Sequence, residues 1–261
     1  MPEWNPELYL QFEKERTQPS KDLIFRIGKE DPRTIIDIGC GPGNSTRELR
    51  QRWKNARIVG LDSSETMLEK ARKAYRDIEW VAGDATRDLS HLGAFDIVFS
   101  NAVIQWLPDH KSLLTRFFGM LNDGGVLAIQ LPSMAGSPIK RATLETAAEA
   151  RWRKAFESLK TDLHSEELSY YYDVLSPLAA DLDLWETSYY HIMPEHEAII
   201  EWYKSTGLKP YLSMLNASDQ DEFASGVLAK IRNAYTTQKD GRILFPMRRI
   251  FFVAYKKTLK A

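Results

Sequence analysis

The stretch Thr34-Ile35-Ile36-Asp37-Ile38-Gly39-Cys40-Gly41-Pro42-Gly43-Asn44 decides how the rest of the chain is read. Its first five residues are apolar or β-branched around one acid, the make-up of a short strand. Three glycines at alternate positions follow, so the backbone can turn tightly and approach a ligand where a Cβ would clash. Ser45 and Glu48 have the Ser-x-x-Glu spacing of a capping box, which predicts a helix directly after the loop. A glycine loop at the carboxyl end of a parallel strand is where open α/β sheets bind ligands. A plain tight turn has the same glycine content, so the loop must be read with its companions.

Those companions alternate strand and helix over the next hundred residues. Strands are expected at 34–38, 57–61, 78–82, 95–99 and 126–131. Helices follow at 45–53, after Ser63 or Ser64 with a stripe of Met67, Leu68, Ala71 and Ala74, and around Leu113, Leu114, Phe117, Phe118 and Leu121. Alternation of this kind argues a parallel sheet with helices on both faces. Before it, residues 1–30 read as an amphipathic helical lid carrying Leu8, Phe12, Leu23, Ile24 and Ile27, broken at Pro19-Ser20. After strand five the alternation stops. Residues 132–182 read as an inserted helical cap, with helices at about 138–160 and 166–180. The stretch 183–192 reads as strand six with Trp185, Thr187 and Tyr189 on one face. Helices are expected at 195–204 and 218–235, and 249–255 reads as the last strand. The expected organisation is one domain over 1–261, with a core at 31–131 and a completing segment at 183–261.

Bulk properties narrow the function classes. The chain has 261 residues, enough for one sizeable α/β domain with elaborations or two small ones, and its 43% hydrophobic and 27% charged residues are ordinary for a soluble globular protein. A net charge of −1 gives no global field for nucleic acid or an anionic membrane. One cysteine excludes a disulfide framework and a Cys-based zinc site. The start, Met1-Pro2-Glu3-Trp4, lacks the basic and apolar run of a signal peptide, and no apolar run is long enough for a bilayer, so a cytoplasmic location is expected. His191 and His196 lie five apart, not at the spacing of a helical metal pair, and no metal is expected. Cys40 is expected to fill a small space.

The loop's spacing and its acidic companions bear on which ligand it takes. A dinucleotide loop has Gly-x-Gly-x-x-Gly, which from Gly39 would put its last glycine at Asn44. Here the pattern is Gly-x-Gly-x-Gly preceded by Asp37. Asp62 ends strand two, where a carboxylate can accept both ribose hydroxyls. Asp84 ends strand three, where it can accept from an adenine amine while Ala85 offers its backbone N–H. Met67 is either a core side chain or a packing surface for the base. The whole set resembles the class I S-adenosylmethionine-dependent methyltransferases, and the resemblance implies a Rossmann-like, mostly parallel seven-stranded sheet with the last strand antiparallel. It also implies a cofactor site of Asp37, Gly39, Gly41, Asp62, Ser63, Met67, Asp84, Ala85, Asn101 and Ile104. The segment 95–107 resembles the fourth-strand motif of the small-molecule members, which implies that Gln105 and Trp106 face the methyl group. Ser100-Asn101-Ala102-Val103 differs from the (Asp/Asn/Ser)-Pro-Pro-(Tyr/Phe) of DNA amino-methyltransferases.

Further landmarks are Trp4-Asn5-Pro6, Tyr9-Leu10, Phe12 and Glu15-Arg16, then Gln105-Trp106-Leu107-Pro108-Asp109-His110, Tyr171-Tyr172-Asp173, 189–202 and Thr206-Gly207-Leu208-Lys209-Pro210. Together they resemble the trans-aconitate 2-methyltransferase family. The resemblance implies a small tricarboxylate acceptor and a monomethyl ester product. A carboxylate is ionised at neutral pH, so no general base is required, and positioning carries the rate. Arginine suits the non-reacting carboxylates. The acceptor set is Arg16, Tyr9, Tyr172, Tyr190, His191 and Arg249, with Arg248, Tyr171 and Tyr189 as further candidates. A strand alternates faces, so only one of Tyr189 and Tyr190, and one of Arg248 and Arg249, can face a pocket. The same fold acting on a phenol, a quinone precursor or another organic acid stays open, as does a nicotinamide-dependent enzyme or a cofactor sensor. Oligomeric state is not fixed by the sequence.

Overall fold

The computed structural model describes residues 13–159 and 164–258, and side chains from Thr17 onward. In chain order the elements are α1 (Glu13–Arg26), β1 (Thr34–Ile38), α2 (Asn44–Arg52), β2 (Arg57–Asp62), α3 (Glu65–Ala74), β3 (Glu79–Ala82), β4 (Phe95–Asn101), α4 (His110–Gly119) and β5 (Leu121–Pro132). Then come α5 (Pro138–Ala147), α6 (Ala150–Arg153), α7 (Leu168–Leu175), β6 (Asp181–Met193), α8 (His196–Lys204), α9 (Lys209–Leu212), α10 (Ala217–Ile231) and β7 (Ile243–Tyr255). The chain divides into two compact units. Among the described residues, the first holds 13–132, 164–187 and 249–258, and the second holds 133–159 and 188–248.

The strands form one sheet in the order β3-β2-β1-β4-β5-β7-β6. β1 pairs parallel with β2 and β4, β2 with β3 and β4 with β5, while β7 runs antiparallel to β5. This is the expected Rossmann-like, mostly parallel sheet. Register assigns the faces, because paired residues share a face and neighbours along a strand do not. Ile36, Ile38, Val98, Leu127, Ile129 and Phe252 lie on one face, in a core with Leu113, Leu114 and Phe117 of α4 and Tyr171 and Leu175 of α7. Asp37 pairs with Gly60 and Phe99, Asn101 with Gln130, and Gln130 with Phe251. Asp37, Asp62, Asn101, Gln130 and Arg249 therefore share the opposite face.

Several expectations change. Pro19 does not break the first helix, which runs Glu13–Arg26 through it. A proline inside a helix costs about 3 kcal/mol. Burial of Leu23, Ile24 and Ile27 offsets that cost, and the Arg52 guanidinium donates to the carbonyls of Ile24 and Ile27. Ser45 and Glu48 form no capping box. The N-cap of α2 is Gly43 in the left-handed region, with no side-chain cap, because the Ser45 hydroxyl is drawn to Asp37 instead. The helix expected over 138–160 stops at Ala147 and restarts as α6, since Glu149 is extended. β5 begins at Leu121, five residues early, through a register shift between Phe95 and Ile97. β7 begins at Ile243 rather than 249, because Ile243, Phe245 and Met247 alternate inward on both sides of Pro246.

The second unit is packed by aromatic rings. Phe156 meets Tyr211 and Phe223 with centroids 5.2 and 5.1 Å away, and Trp152 meets Phe223 edge-on at 5.6 Å. Trp202 and Tyr235 both pack against Phe245.

Candidate active site

The carboxyl ends of β1 to β4 carry the sequence-predicted cofactor residues, all within the first unit. The loop after β1 is tied to β2, with Gly39 N and Cys40 N both donating to Leu61 O at 2.7 and 3.0 Å. Gly39 has φ +74°, and a Cβ there would lie 2.2 Å from a Val103 methyl. Gly41 differs. Its φ is +55°, yet a Cβ would meet nothing within 4 Å. Glycine at 41 therefore answers to backbone conformation and an open face, not to packing within the protein.

Asp62 joins the loop to the next helix. Its Oδ2 accepts from Gly41 N at 2.8 Å and its Oδ1 from Ser64 N at 2.8 Å. Each carboxylate oxygen retains capacity for a further donor. Ser64 caps α3, accepting from Met67 N, while Ser63 is exposed and Met67 is buried. Asp84 forms an Asx turn, with Thr86 N and Thr86 Oγ1 both 2.8 Å from Oδ1. These bonds from Thr86 hold its carboxyl below the usual carboxylate range. Ala85 beside it is buried.

Asp37 is fully buried under the loop. Its Oδ2 accepts from Ser45 Oγ at 2.7 Å and Thr46 Oγ1 at 2.6 Å, and its Oδ1 has no hydrogen-bond partner among the described residues. Burial pushes the carboxyl up to about 6; the two hydroxyl bonds oppose this and the charge of Asp62 adds to it. The sequence offers Ser45 as a helix cap and does not tie Ser45 or Thr46 to Asp37. A hydroxyl pair in the first turn of the helix, eight and nine residues after a strand acid, is the signal that would have found them. Burial also pushes the Cys40 thiol up, which fits a small packed side chain and not a nucleophile.

After β4 the backbone is strained. Ala102 has φ +57°, costly for a residue with a Cβ. It is held there by Ala102 N donating to Gln130 O at 2.9 Å and by Gln105 Nε2 donating to Ala102 O at 2.7 Å. The Gln105 amide thus braces the turn with its nitrogen, while its buried Oε1 has no partner among the described residues. Ile104 is fully buried, and half-buried Trp106 closes the turn with Trp106 N on Val103 O at 2.9 Å.

His110 and Tyr171 lock this loop from below. His110 Nε2 lies 2.8 Å from Ile104 O and Nδ1 2.9 Å from Tyr171 Oη, which accepts from Glu166 N at 3.2 Å. His164 N donates to Gln105 O at 2.7 Å. Burial holds the imidazole below its ordinary pKa, so it is neutral near pH 7. Tyr171, expected as a hydroxyl donor to the acceptor, is fully buried and spends its hydroxyl here.

The remaining acceptor candidates separate. Tyr9 lies outside the described residues, and for Arg16 only the backbone in α1 is described. Tyr172 is on α7 of the first unit, 55% exposed. Arg249 is buried in the first unit, on β7 opposite Pro132. Tyr190 and His191 belong to the second unit. His191 is buried 5.8 Å from the Trp202 ring, but Tyr190 is 62% exposed on the outer side of β6. The strand's pleat turns Tyr189 inward with His191, so Tyr190 leaves the pocket-facing set. Arg248 is in the second unit, its carbonyl accepting from Ser133 N. Among the described residues no cluster of three His, Cys, Asp or Glu could hold a metal, and no helix is long and apolar enough to cross a membrane.

Comparison with known proteins agrees with this geometry. A family model described as a methyltransferase domain matches residues 35–125. A putative methyltransferase from Bacillus halodurans superposes with a TM-score of 0.58 at 16% identity, over 92% of this chain and 99% of that one. Phosphoethanolamine N-methyltransferase 2 of Haemonchus contortus, solved with S-adenosyl-L-methionine, gives 0.53 at 18% over 92% and 52%. Sheet order and these matches give the Rossmann-like methyltransferase fold. Two proteins called trans-aconitate 2-methyltransferase, from Azoarcus sp. and Methylobacterium radiotolerans, are each 41% identical, over 98% and 99% of this chain and the full length of each relative. The chain belongs to the trans-aconitate 2-methyltransferase family.

Proposed function

We propose that this protein esterifies one carboxylate of trans-aconitate, or a close tricarboxylate, with the methyl group of S-adenosylmethionine. The single observation that carries the substrate is 41% identity over nearly the whole chain to relatives bearing that name. The bound cofactor supplies an electrophilic methyl on a sulfonium. Asp62 accepts the ribose hydroxyls, Asp84 and Ala85 meet the adenine, and Asp37, Gly39 and Gly41 shape the loop beneath, with Ser63 and Met67 beside the nucleoside. Asn101, whose buried Oδ1 has no partner among the described residues, is a ready acceptor for the methionine ammonium. That orphaned oxygen and the open face at Gly41 are what make the site fit the cofactor.

The acceptor needs no proton removed, because a carboxylate near its ordinary pKa is already charged. The protein's contribution is therefore orientation, worth several kcal/mol. Gln105 and Trp106 sit on the braced turn after β4 and line the transfer region. Arg249, buried in the first unit, supplies a guanidinium for a non-reacting carboxylate. A soluble setting and a small-molecule partner complete this reading, without nucleic acid or metal.

The test is turnover of methyl-labelled cofactor with a panel of di- and tricarboxylic acids, phenols and quinone precursors, scored for methanol released by alkali. Base-labile product from trans-aconitate is expected. Base-stable product, or none from any acid, would refute the carboxylate assignment.

A further inference from the structure

We infer that Gln130 binds the acceptor, its side-chain N–H donating to a carboxylate of the molecule being methylated. This role rests on the methyltransferase reading above. Gln130 is the one polar side chain in the apolar run 126–131 of β5. It is fully buried, and neither Oε1 nor Nε2 has a hydrogen-bond partner among the described residues. Its backbone has separate work, accepting from Ala102 N. An amide buried with both ends unmade is unfavourable, so packing alone would favour an apolar residue of similar volume.

Strand order says what meets that amide. Read along the sheet, the cofactor residues fall at Asp84 after β3, Asp62 at the end of β2, the glycine loop after β1 and Asn101 at the end of β4. The next strands in the order are β5 and β7, and they present Gln130 and Arg249 on the same face as Asp37, Asp62 and Asn101. Neighbouring strands are about 4.8 Å apart, so Gln130 lies one strand past the methionine end. A molecule receiving the methyl lies over β4, β5 and β7. An amide donor and a guanidinium on one sheet face of adjacent strands, two residues apart in register and both buried, are chemistry that takes a carboxylate.

The test uses the full chain with Gln130→Met, which keeps the volume, and Gln130→Glu, which adds a like charge. In Gln130→Met the acceptor KM rises by about 10-fold or more, the Kd for S-adenosylhomocysteine stays within about twofold, and the unliganded Tm is unchanged or higher. Gln130→Glu raises KM further. An unshifted acceptor KM in Gln130→Met overturns the proposal. So does a Kd for S-adenosylhomocysteine that weakens in step with KM, which would give Gln130 to the cofactor. A wild-type protein that esterifies no carboxylic acid refutes the carboxylate reading itself. Normal wild-type turnover with an unshifted variant KM refutes only the role of Gln130.

Discussion

The two halves of the sheet's carboxyl edge treat their polar side chains in opposite ways. On β1, β2 and β3 the acids are held by the protein itself: Asp37 by Ser45 and Thr46, Asp62 by the N–H groups of Gly41 and Ser64, Asp84 by Thr86. On β4 and β5 the amides stay open, with Asn101 Oδ1 and both arms of Gln130 lacking partners among the described residues. On the proposed reading, the first half is preorganised for the nucleoside of the cofactor. The second keeps dry, unmatched groups, and on the proposed reading their cost is recovered when the methionine end of the cofactor meets Asn101 and the acceptor meets Gln130. Asp37 belongs to both patterns, since one of its oxygens is held and the other is not.

The largest effect expected in the first half comes from Asp37. Its carboxyl sits near 6 in the folded protein against an ordinary 3.8. Between about pH 4 and 6 the folded state keeps a proton that the unfolded chain has released. The stability this proton confers is fully present below about pH 4 and is lost as pH rises through about 6, on the order of 3 kcal/mol in all. Denaturant unfolding across that range should show the slope in the wild type and not in Asp37→Asn. Matching slopes would mean that the acid is not held in the dry state described.

Next comes Asp62→Ala, expected to weaken S-adenosylhomocysteine by roughly 2–3 kcal/mol in calorimetry while leaving acceptor affinity unchanged. Loss of both affinities together would erase the distinction between the halves. The smallest effect belongs to Gly41→Ala. Left-handed backbone costs about 1 kcal/mol of stability, and the new Cβ clashes with nothing in the protein. Cofactor affinity should nonetheless fall by about 10-fold. Normal affinity would show that the open face at Gly41 is not part of the site.

The preorganised half was the legible one. Strand, glycine loop and strand-end acids recur at fixed places along the chain because backbone geometry demands them, and Asp37, Asp62 and Asp84 stand where the sequence put them. The reading failed where one residue type serves two purposes. Ser45 has the spacing of a cap, but a buried carboxylate eight residues earlier outbids the helix end. Tyr171 has a hydroxyl suited to a substrate, but burial gives it to His110. Gln130 carries no signal in the sequence, because a lone amide in an apolar strand has no period; only the register beside Asn101 gives it meaning. Which of Tyr189 and Tyr190 turns inward depends on the phase of β6, and the sequence leaves that open.

The most direct measurement is a crystal structure with S-adenosylhomocysteine and trans-aconitate both bound. The nucleoside should lie across the ends of β1 to β3 against Asp62 and Asp84, with an acceptor carboxylate over β5 within hydrogen-bond distance of Gln130. A nucleoside bound elsewhere, or a tricarboxylate seated away from β4, β5 and β7, would contradict the division of the edge into a cofactor half and an acceptor half.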